Sequence, residues 1–233
     1  MRLGIMQPYF FPYIGYFQLI NAVDTFVIYD NIKYTKKGWI NRNRFLQNGK
    51  DVLFTLPLRK DSDFLNVKDR YLADSFDKQK LIAQLRAAYL KSSEYKYAMP
   101  VIENCILYAN DNLFDYIFHS VKNICNYLNI KTNFCVSSHI NIDHESLKGQ
   151  DKVIEICKKM DATTYINAIG GQELYSKDIF RDSGIELKFI QSDKIEYSQF
   201  DNEFVPWLSI IDVMMFNSKE KISDFLNSQY KLI

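Results

Sequence analysis

An α/β domain with a mostly parallel sheet and a helical insertion is what this 233-residue sequence predicts, and three observations carry the prediction. The first thirty residues run apolar stretch, turn, helical periodicity, apolar stretch, which is the order that opens a parallel sheet. The same alternation returns after residue 133. Between the two halves, about 77–130, the pattern is helical alone, which defines the insertion. No repeat or low-complexity linker divides the chain, so 1–233 is read as one domain.

The elements follow in order. Residues 3–6 form a first strand that stops at Gln7-Pro8; an aromatic loop containing Pro12 follows. Helical spacing resumes at Gly15, with Ile14, Phe17, Leu19, Ile20 and Val23 on one broad apolar face. Asp24 can close this helix, and residues 25–29 form a second β-rich run ending at Asp30. Residues 51–58 read as a strand stopped by Pro57, and 64–72 as an extended segment. Ser75 is the expected N-cap of a helix over 77–90, and Pro100 is expected in the first turn of the next. A longer helix over 112–127 has Leu113, Ile117, Val121, Ile124 and Leu128 in phase. The second half gives a strand at 133–137, a helix at 149–160, a strand at 163–167, the Gly170-Gly171 turn, a helix near 175–182 and a strand at 185–191. Pro206 is expected to open an apolar helix to Phe216, and Ser218 to cap a last helix ending near Gln229.

Composition bounds the function classes. Hydrophobic residues at 47% with 24% charged describe a globular chain, and a net charge of +1 gives no overall pull toward DNA or an anionic membrane. Charge is uneven, however: residues 33–60 hold eight basic side chains against Asp51 alone, a patch able to hold a diphosphate or to form a solvated rim. The cysteines, Cys105, Cys125, Cys135 and Cys157, show no metal or redox spacing and read as buried free thiols suited to a reducing cytoplasm. The interrupted apolar stretch at the start argues against a signal peptide, and no run approaches the ~20 apolar residues of a spanning helix.

Ligands of open parallel sheets bind beyond the carboxyl ends of the strands, where Gln7 to Tyr16 and Asp30 to Arg44 are expected. Trp39 to Arg44 places two guanidinium groups, Arg42 and Arg44, among the amides of Asn41 and Asn43, a set that can grip phosphate oxygens; Trp39 can stack on a sugar or base, or anchor the loop. Gln7, Tyr9, Tyr13 and Tyr16 offer neutral donors and acceptors for sugar hydroxyls or an amide. Asp30 is a candidate general base or amine binder. The amides of Gly170 and Gly171 can cradle an anion or simply make a tight turn. Asp212 stands in the apolar run 207–216, where burial raises a carboxyl pKa; it reads as a proton acceptor or as a structural tie to the Arg42/Arg44 loop or a strand end, with Ser209 on the same helical face. His139, Asp143 and His144 complete no metal site, His119 lies within a helix, and no Ser-His-Asp or Cys-His constellation assembles.

These residues carry a resemblance. Gln7-Pro8, Pro12, Gly15-Tyr16-Phe17, Asp24, Asp30, Trp39, Arg42-Asn43-Arg44, Tyr165, Gly170, Tyr175, Tyr197, Gln199, Phe204, Pro206, Ser209, Asp212 and Phe216-Asn217 resemble the WbqC-like protein family along nearly the whole chain. Ser218 stands where that family usually has glycine, and Val52-Leu53 where it often has a tryptophan nearby. The resemblance implies an enzyme of bacterial surface-polysaccharide, including O-antigen, biosynthesis: a cytoplasmic transferase that moves an acyl or amino-acyl group, glycyl among them, to the amine of a nucleotide-linked amino sugar. Asp30 and Asp212 would be catalytic. Tyr175, Gln199, Ser209 and Asn217 join the ligand-binding set. No metal or cofactor is expected, and the partners are the nucleotide sugar and an activated donor, with aminoacyl-tRNA one candidate. A fold-level resemblance is also present: Tyr13-Ile14-Gly15-Tyr16 has the spacing with which His-x-Gly-His nucleotidylyltransferases place two imidazoles, which implies a Rossmann-like (HUP) sheet. Two neutral phenols cannot supply imidazolium charge, so the fold is adopted and the reaction is not. A nucleotidylyltransferase-like enzyme and a non-catalytic sugar-nucleotide-binding protein are the alternatives.

Overall fold

The computed structural model describes residues 1–233. Its centre is a six-stranded sheet. Strand β1 (Arg2–Met6) leads through the aromatic loop of residues 7–13 into helix α1 (Ile14–Asn21) and strand β2 (Thr25–Ile28), parallel to β1 with Leu3 beside Thr25 and Met6 beside Ile28. A hairpin of β3 (Arg42–Gln47) and β4 (Lys50–Thr55) stands outside this sheet. Helices α2 (Lys78–Tyr89), α3 (Tyr95–Leu107) and α4 (Leu113–Tyr127) follow. The chain then returns to the sheet as β5 (Asn133–Val136), α5 (Gly149–Lys159), β6 (Thr164–Ala168), α6 (Lys177–Asp182) and β7 (Glu186–Ser192). It closes with α7 (Ile210–Phe216), α8 (Lys219–Ser228) and a short antiparallel edge strand β8 (Tyr230–Leu232).

The strand order is β5-β2-β1-β6-β7-β8, parallel except for β8, so the direction of winding reverses between β1 and β6. Both faces of the sheet are covered. Successive side chains of a strand point to opposite faces, and the burial obeys this: Phe26, Ile28, Ile166 and Ile190 join the larger apolar core, while Leu3, Ile5, Val27, Tyr165, Leu187 and Phe189 join the smaller one with α5 and α6. Helices α2, α3 and α4 share the larger core with α1, α7, α8 and the hairpin, as Leu85, Ile102 and Ile117 pack in one cluster with Phe17, Met214 and Phe45.

Four local expectations need correction. Residues 42–47 form a strand rather than a loop; the Asn48-Gly49 pair, both at positive φ (+52 and +72), turns the chain back on itself in the manner of a two-residue hairpin. Asp77, not Ser75, caps α2 by accepting from the Lys80 amide at 2.8 Å. Pro100 lies within α3 because that helix starts a turn earlier, at Tyr95; both Pro100 and Lys96, whose carbonyl loses its partner, are exposed to water. Pro206 does not open α7. Ser209 is its N-cap, and Trp207 (φ +58) turns the chain just before it.

Candidate functional site

Three adjoining cavities lie along the carboxyl edge of the sheet. The first, about 450 Å³, is bounded by Gln7, Tyr9, Tyr13, Gly15 and Tyr16 after β1, Tyr29 and Ile32 after β2, Asn167 near the end of β6, and Ile169, Gly170, Gly171 and Tyr175 after it. It therefore sits at the point of winding reversal, where open α/β sheets leave a crevice. The second, about 210 Å³, is lined by Tyr9, Pro12, Tyr13, Trp39, Asn43, Arg44 and Trp207. The third, about 460 Å³, lies past Tyr13 and Trp207, against residues 192–197 and Phe204. Tyr13 borders all three, so the cavities read as one cleft with a shared central wall.

Three chain segments are tied together to hold that wall. Phe11 has a positive φ of +46, a conformation that costs energy for a residue with a Cβ. Its carbonyl is held by the Asn43 amide at 2.9 Å and the Ser209 hydroxyl at 2.8 Å. The Phe10 amide donates to the Ile40 carbonyl, the Ile210 amide to that of Pro12, and the Ser209 amide to that of Arg44. The aromatic loop is thus fixed between β3 and the N-terminus of α7. Gly15 completes the arrangement, since a Cβ there would stand 2.3 Å from the Tyr13 ring and 2.7 Å from the Ser192 hydroxyl.

The sequence-predicted residues divide into two groups. Gln7, Tyr9, Tyr13, Tyr16, Trp39, Asn43, Arg44, Gly170, Gly171 and Tyr175 come together around the cleft. Burial pushes the phenols of Tyr9, Tyr13, Tyr16, Tyr29 and Tyr175 upward, so all are neutral donors near pH 7. Tyr16 spends its hydroxyl on the Gln7 carbonyl at 2.8 Å. Gly170 and Gly171 sit in a 3-10 turn over Ile169–Leu174 rather than at the start of a long helix, and reach the cleft from there.

The two arginines differ. Arg44 lines the second cavity, pairs with Asp51 at 3.1 Å, lies 5.5 Å from the Trp39 ring centroid, and keeps a buried Nε without a partner. Arg42 donates to the Lys37 and Gly38 carbonyls and so closes its own loop. It lines none of the three cavities.

The second group faces inward. Asp30 accepts from the Ser137 hydroxyl (2.8 Å), the Ser138 amide (2.9 Å) and the Ser138 hydroxyl (2.5 Å), a tie between the ends of β2 and β5. Burial alone would raise its pKa, but these hydrogen bonds and the Lys68 charge outweigh it and hold the carboxyl below its usual range. Asp212 is wholly buried, accepting from Tyr89 (2.8 Å), Tyr197 (2.7 Å) and Gln199 (2.6 Å), and burial raises its pKa despite all three donors. Tyr89 in turn receives the Leu46 amide, so Asp212 is linked to β3 through a phenol. Gln199 spends both ends of its amide on Asp212 and Val205; Asn217 donates to Val213, and Ser209 caps α7. Asp30, Asp212, Gln199, Ser209 and Asn217 border none of the three cavities. Sequence reasoning missed Tyr29, Asn167 and Trp207; Tyr29 follows β2 and Asn167 lies near the end of β6, and that both border one cavity is readable only once strand order is known.

No group of three or more His, Cys, Asp or Glu side chains is close enough to hold a metal ion. No helix is long and apolar enough to cross a membrane. The four cysteines are free, and burial pushes the Cys105 and Cys157 thiols up to about 12.

Fold and cleft thus define an α/β protein with an aromatic crevice at the carboxyl edge of its sheet. The chain belongs to the WbqC-like protein family, whose sequence model matches residues 7–224. A relative, the uncharacterized protein Rv1507c of Mycobacterium tuberculosis, is 27% identical over 231 residues and covers 97% of each chain. No solved structure matches the chain.

Proposed function

We propose that the protein is a transferase that binds a nucleotide-linked amino sugar in the carboxyl-edge cleft and moves an acyl or amino-acyl group onto its amine, in bacterial surface-polysaccharide (O-antigen) biosynthesis. The observation that carries this reading is the cleft itself: an uncharged, phenol-lined cavity at the β1/β6 reversal that opens beside one guanidinium, Arg44. Its polarity matches a ligand with a neutral end and an anionic diphosphate. The strand order supports a Rossmann-like fold, and membership of the family supports the polysaccharide setting. The free thiols suit a reducing cytoplasm.

In the transfer, the amine nitrogen attacks the activated carbonyl, a C–N bond forms, the bond from the carbonyl carbon to the donor's leaving group breaks, and the amine proton departs with that group or to solvent. Neutral phenols position the reactants; the third cavity, across Tyr13, offers room for the donor. Asp30 and Asp212, set behind the wall, take the architectural part in this reading rather than that of proton acceptor.

Calorimetric titration with nucleotide-linked amino sugars tests it. Arg44→Ala should weaken binding by about 1.5–3 kcal/mol, the scale of a hydrogen bond to a charged group, and Lys should restore it only in part. Unchanged affinity in a folded Arg44→Ala protein would remove the diphosphate from that end of the cleft.

A further inference from the structure

The Asn167 side chain is almost wholly enclosed, at 6% exposed, yet its carboxamide takes part in no hydrogen bond of the protein. Its amide atoms are not among the fully enclosed polar atoms that lack a partner, so they keep access to open space and remain free for an outside partner. Asn167 borders the 450 Å³ cavity, so its free donor and acceptor face the space in which a ligand would lie. A second carboxamide, Gln7, borders the same cavity, and its side chain is also without a protein partner; its backbone carbonyl is engaged by Tyr16.

The seventeen residues lining this cavity include no Asp, Glu, Lys, Arg or His. A phosphate would be desolvated there without compensation. A pyranose carries hydroxyls around its whole rim and would meet ring faces and aliphatic side chains on most sides. A planar group with one polar edge fits instead: the tyrosine rings cover its faces, and a carboxamide presents a donor and an acceptor side by side, as the edge of a nucleobase requires. Gly171 keeps the place open, because a Cβ at that position would stand 2.3 Å from the Asn167 amide nitrogen.

We infer that Asn167 reads the nucleobase of the ligand, with the base in the β1/β6 cavity and the phosphates directed past Tyr9 and Tyr13 toward Arg44. The inference rests on the sugar-nucleotide reading and adds which end of the ligand enters which cavity.

The experiment titrates the full-length protein with uridine, thymidine, cytidine, adenosine and guanosine diphosphates, and with ribose 5-phosphate as the probe that lacks a base. The wild type is expected to bind at least one nucleoside diphosphate tenfold or more tightly than ribose 5-phosphate. Asn167→Leu, close in volume and losing no internal hydrogen bond, should weaken the preferred nucleoside diphosphate tenfold or more while ribose 5-phosphate affinity and the melting temperature stay. Asn167→Asp keeps the shape but only accepts, so it should favour bases that present two N–H groups on one edge. Wild-type affinities and ranking in a folded Asn167→Leu protein would overturn the inference and leave the sugar-nucleotide reading standing. A wild type that binds neither nucleoside diphosphates nor nucleotide sugars would overturn both.

Discussion

Asp212 shows how one buried carboxylate can organise distant segments without bordering the cleft. Its three neutral donors come from α2 and from the stretch before α7, and through Tyr89 it also fixes the Leu46 amide of β3. Asp212→Asn turns one acceptor into a donor among donors, so unfolding free energy should fall by about 1–3 kcal/mol, the cost of an unsatisfied buried polar group. The pH dependence has a definite sign. A carboxyl with a raised pKa binds its proton more tightly in the folded state, so its contribution to stability falls as pH rises through the interval between the ordinary and the raised value. The gap between wild type and Asp212→Asn should therefore narrow toward neutrality. Asp30, with a lowered pKa, behaves in the opposite way: its contribution is present above the ordinary carboxylate value and is lost as pH falls through the lowered one. Urea unfolding of wild type, Asp212→Asn and Asp30→Asn from about pH 3 to about pH 8 separates the two trends. Curves for both variants that run parallel to wild type would refute both assignments.

At the same scale, Gly15 links backbone chemistry to binding. Gly15→Ala pushes a methyl group into the Tyr13 ring and the Ser192 hydroxyl. Because Tyr13 borders every part of the cleft, ligand affinity should fall at least tenfold, or about 1.4 kcal/mol, and calorimetry reads the change. An unaltered affinity would mean that the ring can move aside without consequence.

The β3–β4 hairpin is the element on which the cleft's second cavity depends. It pairs Arg42 with Thr55 through to Gln47 with Lys50, and its turn needs Gly49 at φ +72 with the Asn202 side chain against it. Gly49→Ala should cost on the order of 1 kcal/mol from the left-handed conformation alone, and denaturant unfolding reads it. How far such elements were legible depended on their polarity. β1, β2, β6 and β7 were visible as apolar runs because both faces of their sheet are covered, and α4 was visible because Asn112 caps an in-phase stripe. β3 was hidden because Arg42, Asn43 and Arg44 alternate no apolar residue with a polar one; only Asn48-Gly49 marked it. β8 was hidden because three residues give no period, and its pairing with β7 is decided by tertiary contact.

Across the whole molecule, strand order is what converts scattered residues into a site. Sequence placed Gln7, Tyr9, Tyr13, Arg44 and Gly170 among the candidates because each follows a strand or stands in a polar cluster. It could not place Asn167 or Tyr29, which read as ordinary strand ends until the strand order sets β6 and β2 on either side of β1. Nor could it show that Asp30 closes on Ser137 and Ser138 more than a hundred residues away, since nothing local marks that partnership.

Hydrogen exchange of the wild type, with and without a saturating nucleotide-linked amino sugar, tests the central claim most directly. The cleft predicts slowed exchange at the amides of residues 7–16 and 167–175 and in β3 around Arg44, with little change in α5 and α6. Protection confined to other surfaces, while the ligand demonstrably binds, would contradict the placement of the site at the carboxyl edge of the sheet.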